Sequence, residues 1–208
     1  LAGEVRSGKT LTVLATAEKL NKKHVLFITK KKAISSIQSD YEIGSFKYKL
    51  TLINYESIHK VDTTGVDLVI CDESHTMGAF PKPSKRTKAV RDIVATNKID
   101  LILASGTIHP ESIAQIFHQL WVSYFTPFNN VNFYHWAKVY VDLYHIKING
   151  FDVKQYNRTK DELIEEKIKP YKVTMTQSDA GFTSKVFENF EVVELLPITY
   201  NLIKKLKT

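Results

Sequence analysis

Short apolar stretches alternate with helix-spaced apolar positions along the first half of the chain. The stretches are rich in β-branched residues and carry several apolar residues in succession, as strands buried on both faces do. They cover residues 25–29, 50–53, 66–71 and 99–104. Between them, spacings of three and four residues predict amphipathic helices, on Val13, Ala17, Leu20, Ile34, Ile37, Tyr41, Val90, Ile93 and Val94. This alternation predicts an α/β fold with a mostly parallel sheet flanked by helices.

The pattern changes after residue 106, where aromatic and aliphatic residues begin to recur at helical spacing. We expect a domain core over 1–108 and a helical extension over 109–208. Packing between helices is the favoured interpretation of its aromatics, and a base-stacking platform is the alternative. Local signals within the extension are Pro110 at a helix start, a turn at Asn149-Gly150, a capping box from Thr159 to Glu162 and a helix end before Pro170.

Composition and charge narrow the class of protein. The 208 residues are 43% hydrophobic and 25% charged, which excludes a disordered chain and a coiled coil. No apolar run reaches the roughly 20 residues of a membrane span, so we expect no membrane partner. The net charge of +7 favours a polyanion such as nucleic acid. Cys71 is the only cysteine, which favours a reducing cytoplasm.

A glycine-rich segment near the start has the composition of a phosphate-binding loop. Residues 3–10, Gly-Glu-Val-Arg-Ser-Gly-Lys-Thr, match G-x-x-x-x-G-K-[ST] at every fixed position. In that pattern backbone N–H groups face a phosphate, the lysine reaches the β- and γ-phosphates, and the threonine hydroxyl ligates Mg²⁺. We therefore expect ATP and Mg²⁺ as ligands. The expected nucleotide-binding residues are Gly3, Glu4, Val5, Arg6, Ser7, Gly8, Lys9 and Thr10, the last also a metal ligand.

A chance glycine-rich turn is the alternative for this segment. The helical pattern that follows Gly8 favours the phosphate loop. Only Leu1 and Ala2 precede the loop, where a strand normally anchors it, so we expect the sequence to be truncated at its start.

Two acids follow the third apolar stretch. Asp72 at a strand end is suited to hold Mg²⁺, and Glu73 beside it is suited to orient and deprotonate a water molecule. The interval from Lys9 leaves room for helix, strand, helix and strand, which brings both motifs to the carboxyl edge of one sheet. Lys9, Asp72 and Glu73 are the expected catalytic residues; an exposed acidic turn that caps a helix is the alternative. Paired-cysteine zinc spacing and a G-x-S-x-G elbow are both missing from the sequence.

These motifs resemble those of a known family. Residues 8–10 (Gly-Lys-Thr) and 72–75 (Asp-Glu-Ser-His) resemble the first RecA-like motor domain of superfamily-two DExH-box helicases. The resemblance is closest to Swi/Snf-type translocases and phage-encoded DEXH-box helicases. The sequence segments on which this resemblance rests are Ala2-Gly3-Glu4, Ile53-Asn54-Tyr55-Glu56, Pro110-Glu111-Ser112, Glu162-Leu163-Ile164, Lys169-Pro170-Tyr171, Leu196-Pro197 and Tyr200.

The resemblance implies roles for further residues. Ser105, Gly106 and Thr107 resemble the motif that couples the nucleotide site to nucleic-acid binding, and His75 belongs to the same coupling set. Expected nucleic-acid contacts are Thr29, Lys30, Lys31, Lys32, Asn54 and Tyr55. The family also implies a second motor domain, absent from this chain, whose arginines complete the catalytic site. An arginine of that kind can be worth about 10³ to 10⁵ in rate, so we expect weak ATPase activity from these 208 residues.

The expected function is that of a DNA-dependent ATPase, a helicase or double-strand translocase, in the cytoplasm of the host cell if phage-encoded. Basic residues 30–32 and a second group over 82–91 are expected to contact the phosphate backbone without reading base sequence. Two alternatives are another P-loop DNA-processing ATPase, such as a packaging motor, and a non-catalytic nucleic-acid-binding module.

Overall fold

The chain folds around a parallel sheet whose strands alternate with helices. The computed structural model describes residues 1–4, 7–128 and 132–181. Four strands pair in parallel in the order β3-β2-β4-β5. The strands of the described residues are β1 (Ala2–Gly3), β2 (His24–Thr29), β3 (Lys49–Asn54), β4 (Leu68–Asp72), β5 (Asp100–Ala104), β6 (Tyr144–Ile148), β7 (Phe151–Gln155) and β8 (Thr174–Met175). The α-helices are α1 (Lys9–Lys19), α2 (Ile34–Gly44), α3 (Lys85–Asn97), α4 (Ile116–Trp121), α5 (Phe133–Tyr140) and α6 (Asp161–Ile168).

Two short strands continue the sheet beyond β5. The Gly3 N–H donates to Ser105 O at 3.1 Å, and the Ser105 N–H donates to Leu1 O at 3.1 Å, so β1 lies parallel to the end of β5. On its other side β1 pairs in parallel with β8, with Ala2 opposite Thr174. Parallel strands end at the same edge, so the residues that follow β1, β2, β4 and β5 meet there.

The two faces of the sheet have separate cores, because successive side chains on a strand point to opposite faces. All six residues of β2 are buried, as befits a strand covered on both sides. Helices α1 and α2 cover one face, in a cluster that includes Val13, Leu14, Ala17, Val25, Phe27, Ile37, Leu68 and Ile70. Helix α3 covers the other face, in a cluster that includes Leu26, Ile28, Val69, Cys71, Val90 and Val94.

The predicted strands and helices of the first half are confirmed. Strands form at 24–29, 49–54, 68–72 and 100–104, each within two residues of the predicted bounds. Helices α1, α2 and α3 form on the predicted apolar positions, except that Leu20 ends α1 and is 55% exposed. The mixed α/β class with a parallel sheet flanked by helices is therefore confirmed.

The second part of the chain, which begins at residue 109, is less helical over its described residues than predicted. Helices α4, α5 and α6 pack around an aromatic core in which Phe117 and Trp136 are almost fully buried. Packing is thus the role of the aromatic residues in this core, such as Phe117 and Trp136, whereas Tyr124 and Tyr134 are exposed. An antiparallel hairpin, β6-β7, forms where the prediction had helix. Its turn lies at Asn149-Gly150, as predicted, because both residues adopt the positive φ that a two-residue hairpin turn requires.

Two predicted local signals of helix starts are wrong, although the helix expected after Thr159 does form as α6. Pro110 opens no helix; Ser112 instead caps the helical turn that leads into α4, where its Oγ accepts from the Ala114 N–H. Thr159 forms no capping box, because its hydroxyl donates to the Asp161 carboxylate and Lys160 occupies the cap position of α6. Helix α6 ends before Pro170, as predicted.

Within the described ranges, no helix combines the length and apolar character that a membrane crossing requires. Two of the segments on which the resemblance rests, at 196–197 and 200, lie outside the described residues, as do Val5 and Arg6.

Candidate functional site

The glycine-rich segment forms a loop between β1 and α1. Gly8 lies in the left-handed region at φ 77°, which favours glycine, and the first residue of the helix is Lys9. No side chain of the described residues caps α1. The backbone N–H groups of its first turn, with the positive end of the helix dipole, are therefore available to an anion.

The Lys9 side chain turns back over the loop. Its Nζ donates to Gly3 O at 2.9 Å and to Glu4 O at 2.6 Å. A Cβ at position 3 would lie 2.6 Å from Lys9 Cγ and 2.8 Å from Ser7 Oγ. Only glycine fits there, so the curl of the loop and the path of the lysine depend on each other.

A small cavity lies at the start of α1. It measures about 230 Å³ and is lined by Ser7, Gly8, Lys9, Thr10, Leu11 and Asp40. Ser7 is fully buried, and its Oγ has no hydrogen-bond partner among the described residues. A buried hydroxyl without a partner is unfavourable unless a ligand satisfies it. The loop therefore fits a phosphate, with a lysine, a free hydroxyl and unpaired N–H groups around one cavity.

Asp72 is held from two sides at the end of β4. The Thr29 hydroxyl donates to Asp72 Oδ2 at 2.7 Å, and the Tyr55 hydroxyl donates to the Asp72 carbonyl at 2.7 Å. Burial raises the pKa of Tyr55 far above its usual value, so that this phenol remains a donor. No described residue bonds to Asp72 Oδ1, which leaves that oxygen free for a metal-bound water.

This geometry gives Thr29 and Tyr55 a different role from the predicted one. Thr29 is fully buried and Tyr55 is 3% exposed, so neither side chain offers a surface to a nucleic acid. Both instead fix the position of Asp72. Neighbouring Cys71 is fully buried, and burial raises the pKa of its thiol to about 12, which makes it a packing residue.

Glu73 adopts an uncommon backbone conformation. Its φ of 50° and ψ of 44° place it in the left-handed region, where a residue with a Cβ is strained. Its side chain reaches two partners: Oε2 lies 3.2 Å from His75 Nδ1, and Oε1 lies 3.5 Å from Lys30 Nζ. The strained turn therefore points the carboxylate along the sheet edge between a histidine and an exposed lysine.

His75 connects Glu73 to the loop after β5. Its Nδ1 lies 2.8 Å from Ser105 Oγ, and Ser105 donates its own hydroxyl hydrogen to Thr107 O at 2.8 Å. Because that hydrogen is already used, Ser105 accepts from His75, and the carboxylate of Glu73 can also only accept. The ring therefore carries its hydrogen on Nδ1 and donates it to Ser105 Oγ, while the Glu73 carboxylate lies within ion-pair distance of the same nitrogen.

The loop after β5 also meets the glycine-rich loop. A Cβ at Gly106 would lie 3.7 Å from Gly3 O and 3.9 Å from Lys9 Nζ. Thr107 contributes its backbone carbonyl, and its side chain is exposed. The structure thus brings three of the predicted motifs together, at Lys9, at Glu73 with His75, and at Ser105.

The predicted basic residues divide into exposed and internally bonded ones. Lys30, Lys31 and Lys32 are exposed at the end of β2. Asn54 is partly buried, and its Oδ1 accepts from the Ser57 N–H at 2.9 Å, which caps a helical turn. In the second basic group, Arg86 pairs with Glu56 at 2.7 Å.

The other arginine of that group, Arg91, stacks 4.0 Å above the Trp121 ring and donates to the Trp121 carbonyl. Both arginines are therefore held by the protein itself, and the exposed charge of the second group comes from its lysines, Lys82, Lys85 and Lys88.

A strap at the end of the described chain was not foreseen from the sequence. The Glu4 N–H donates to Met175 O at 3.0 Å, and the Gln177 N–H donates to Glu4 Oε2 at 2.9 Å. The Thr12 hydroxyl lies 3.5 Å from Met175 Sδ. Residues 173–177 thus hold the start of the glycine-rich loop in place from the side opposite β5. Nothing local to that segment signals this pairing.

The metal prediction concerns Thr10 and Asp72. Among the described residues, no group of three or more histidine, cysteine, aspartate or glutamate side chains is arranged to hold a metal ion. A site of one hydroxyl, one carboxylate and water suits Mg²⁺, which keeps several waters and often relies on substrate phosphates. Comparison with known proteins adds no family: no protein-family model matches the sequence, and no curated protein matches it significantly.

Proposed function

We propose that this chain is a RecA-like ATP-binding motor domain of a DNA-dependent ATPase, of the kind found in superfamily-two DExH-box helicases and translocases. One observation supports the proposal above all: the glycine-rich loop, the acids after β4 and the Ser-Gly-Thr loop after β5 meet at one sheet edge. There His75 is hydrogen-bonded to Ser105 and lies 3.2 Å from the Glu73 carboxylate. A phosphate cradle adjacent to a pair of acids is the arrangement that phosphoryl transfer needs.

In this proposal the phosphate loop binds the triphosphate. The first-turn N–H groups of α1 and the Ser7 hydroxyl receive phosphate oxygens, and Lys9 exchanges its two backbone carbonyl partners for the β- and γ-phosphates. Mg²⁺, when bound, neutralises charge that develops on the phosphates. Thr10 and Asp72 would hold it, and the Thr29 hydroxyl on Asp72 Oδ2 keeps that carboxylate oriented.

Glu73 acts as the base in this proposal. Its carboxylate orients a water molecule and accepts the water's proton as the γ-phosphoryl group departs. His75, held by its hydrogen bond to Ser105, lies 3.2 Å from Glu73 Oε2 and so limits where that carboxylate oxygen can lie. Movement of the loop after β5 therefore changes the position of the base, which gives a physical route for coupling.

A nucleic-acid backbone is the proposed partner of the exposed lysines. Lys30 lies 3.5 Å from Glu73, Lys31 and Lys32 follow it in the sequence, and the whole chain carries a net charge of +7. Such contacts bind without reading base sequence. The single cysteine, Cys71, supports a proposed location in a reducing cytoplasm.

Calorimetry with MgATP tests the nucleotide assignment. We expect Lys9→Ala to weaken binding about 10- to 100-fold, because a charge-assisted bond is worth about 1.5–3 kcal/mol. Lys19→Ala, at the exposed end of the same helix, is the matched control and keeps wild-type affinity. Circular dichroism verifies that both variants fold. Absence of binding by the wild-type chain contradicts the proposal and favours a non-catalytic module.

A further inference from the structure

A glutamine on α4 lies at the centre of a buried hydrogen-bond network. Gln119 is fully buried. Its Oε1 accepts from the Ser74 hydroxyl at 3.0 Å, and its Nε2 donates to Ile108 O at 2.6 Å and to Gln115 O at 3.3 Å. Both amide hydrogens and the amide oxygen are thus used, so this side chain has one orientation only.

The partners of Gln119 belong to the two loops of the candidate site. Ser74 lies between Glu73 and His75, and Ile108 directly follows the Ser-Gly-Thr loop. The His75–Ser105 bond joins the same two loops at the sheet edge. Gln119 therefore forms a second connection between them, beneath the first.

Helix α4 also belongs to the aromatic core of the second part of the chain. Ile116 and Phe117, one turn before Gln119, pack in that core with Trp136. A displacement of α4 therefore changes the spacing between the turn after β4 and the loop after β5. Packed interiors transmit such displacements because they have few voids to absorb them.

We propose that Gln119 is the positioning residue through which the second part of the chain sets the alignment of His75 with Ser105. Its relevance to hydrolysis rests on the function proposed above, whereas the alignment itself does not. Loss of the amide leaves the Ile108 carbonyl and the Ser74 hydroxyl without this partner, and the two loops then separate. His75 loses its acceptor on Ser105 as a consequence.

Nitrogen-15 NMR of the His75 ring tests this proposal without any need for ATPase activity. The wild-type chain is expected to show one tautomer, with hydrogen on Nδ1, and slow exchange of that hydrogen. In Gln119→Met, which keeps the volume and removes the amide, we expect mixed tautomers and at least tenfold faster exchange. Ser74→Ala, which removes one bond of the network, is expected to show an intermediate effect.

The matched control is Gln115→Met. Gln115 is also a buried glutamine, one turn before Gln119, but its Oε1 accepts from the Glu111 N–H, away from the site. This variant is expected to keep the wild-type His75 signal. An unchanged His75 signal in folded Gln119→Met overturns the proposal, as does an unchanged signal in Ser74→Ala if Gln119→Met does not fold.

MgATP affinity and single-turnover phosphate release separate this proposal from the proposed function. For Gln119→Met we expect affinity within about twofold of wild type and release at least tenfold slower. If the wild-type chain binds no MgATP, the proposed function fails, while the His75 measurement still decides the role of Gln119. Equal release rates in Gln119→Met and the wild-type chain show that Gln119 has no catalytic effect.

Discussion

His75 Nδ1 and Ser105 Oγ lie 2.8 Å apart across a sequence separation of 30 residues. The bond joins the turn after β4 to the loop after β5, on adjacent parallel strands. Glu73 Oε2 lies 3.2 Å from the same histidine nitrogen, so the surroundings of the acid depend on that loop.

Glu73→Gln is expected to retain MgATP and to lose hydrolysis by about 10²- to 10⁴-fold, because an amide has the same shape but cannot accept the water's proton. Single-turnover phosphate release measures the loss, and calorimetry measures the retained binding. Glu42→Gln is the control, since Glu42 is exposed on α2 and bonds to Gln38. A rate near wild type in Glu73→Gln means that another group is the base.

Ser105→Ala is expected to lower phosphate release about tenfold while nucleotide affinity stays within twofold. The substitution removes the acceptor of His75 and frees the loop from the Thr107 carbonyl, and one hydrogen bond is worth about 1 kcal/mol. Ser112→Ala is the matched control, because Ser112 bonds to Ala114 and Asn157 away from the site. Equal rates in the two variants would remove Ser105 from the coupling set.

Neutralisation of Lys30, Lys31 and Lys32 together is expected to reduce the salt dependence of DNA binding. Each lost phosphate contact lowers the slope of log affinity against log salt by about 0.9 for duplex DNA. Fluorescence anisotropy at several salt concentrations measures the slope. Lys138, Lys147 and Lys154, exposed in the second part of the chain, form a charge-matched control triple. If the variant neutralised at Lys30, Lys31 and Lys32 has the same slope as the wild type, the DNA-binding surface lies elsewhere on the chain.

Acid is expected to destabilise the fold through His118. Burial lowers the pKa of His118 to about 4, and its Nδ1 hydrogen donates to Ala79 O at 2.7 Å. The unfolded chain, with a histidine pKa near 6.5, therefore binds more protons than the folded chain between pH 6.5 and 4. The free energy of unfolding is therefore unaffected by this histidine above about pH 6.5, and it falls by about 3 kcal/mol as the pH drops to about 4.

Chemical unfolding at a series of pH values measures this loss. His118→Gln removes the titrating group, so its free energy of unfolding should vary less over this range than that of the wild type. His59→Gln, at an exposed position, should follow the wild-type curve. If the free energy of unfolding of His118→Gln depends on pH in the same way as that of the wild type, other groups cause the acid sensitivity.

Much of the α/β part was predictable from the sequence because its signals are local. Apolar runs buried on both faces and apolar positions at helical spacing located β2 to β5 and α1 to α3 within a few residues. The hairpin β6-β7 was missed because Tyr140, Val141 and Tyr144 continue a helical spacing that begins at Phe133. The turn at Asn149-Gly150 was predicted correctly, and it was the one local signal from which the hairpin could have been inferred.

Patterns in the sequence were sufficient to identify the glycine-rich segment, the acids Asp72 and Glu73, and the order of strands and helices that brings them to one edge. The side chains that hold these groups became apparent only in the folded chain. Thr29 and Tyr55 bond to Asp72, and Gln119 joins two loops. The physical reason is distance along the chain: a spacing pattern reports neighbours within a few turns, whereas these partners lie 11 to 45 residues apart and meet only when the two cores pack.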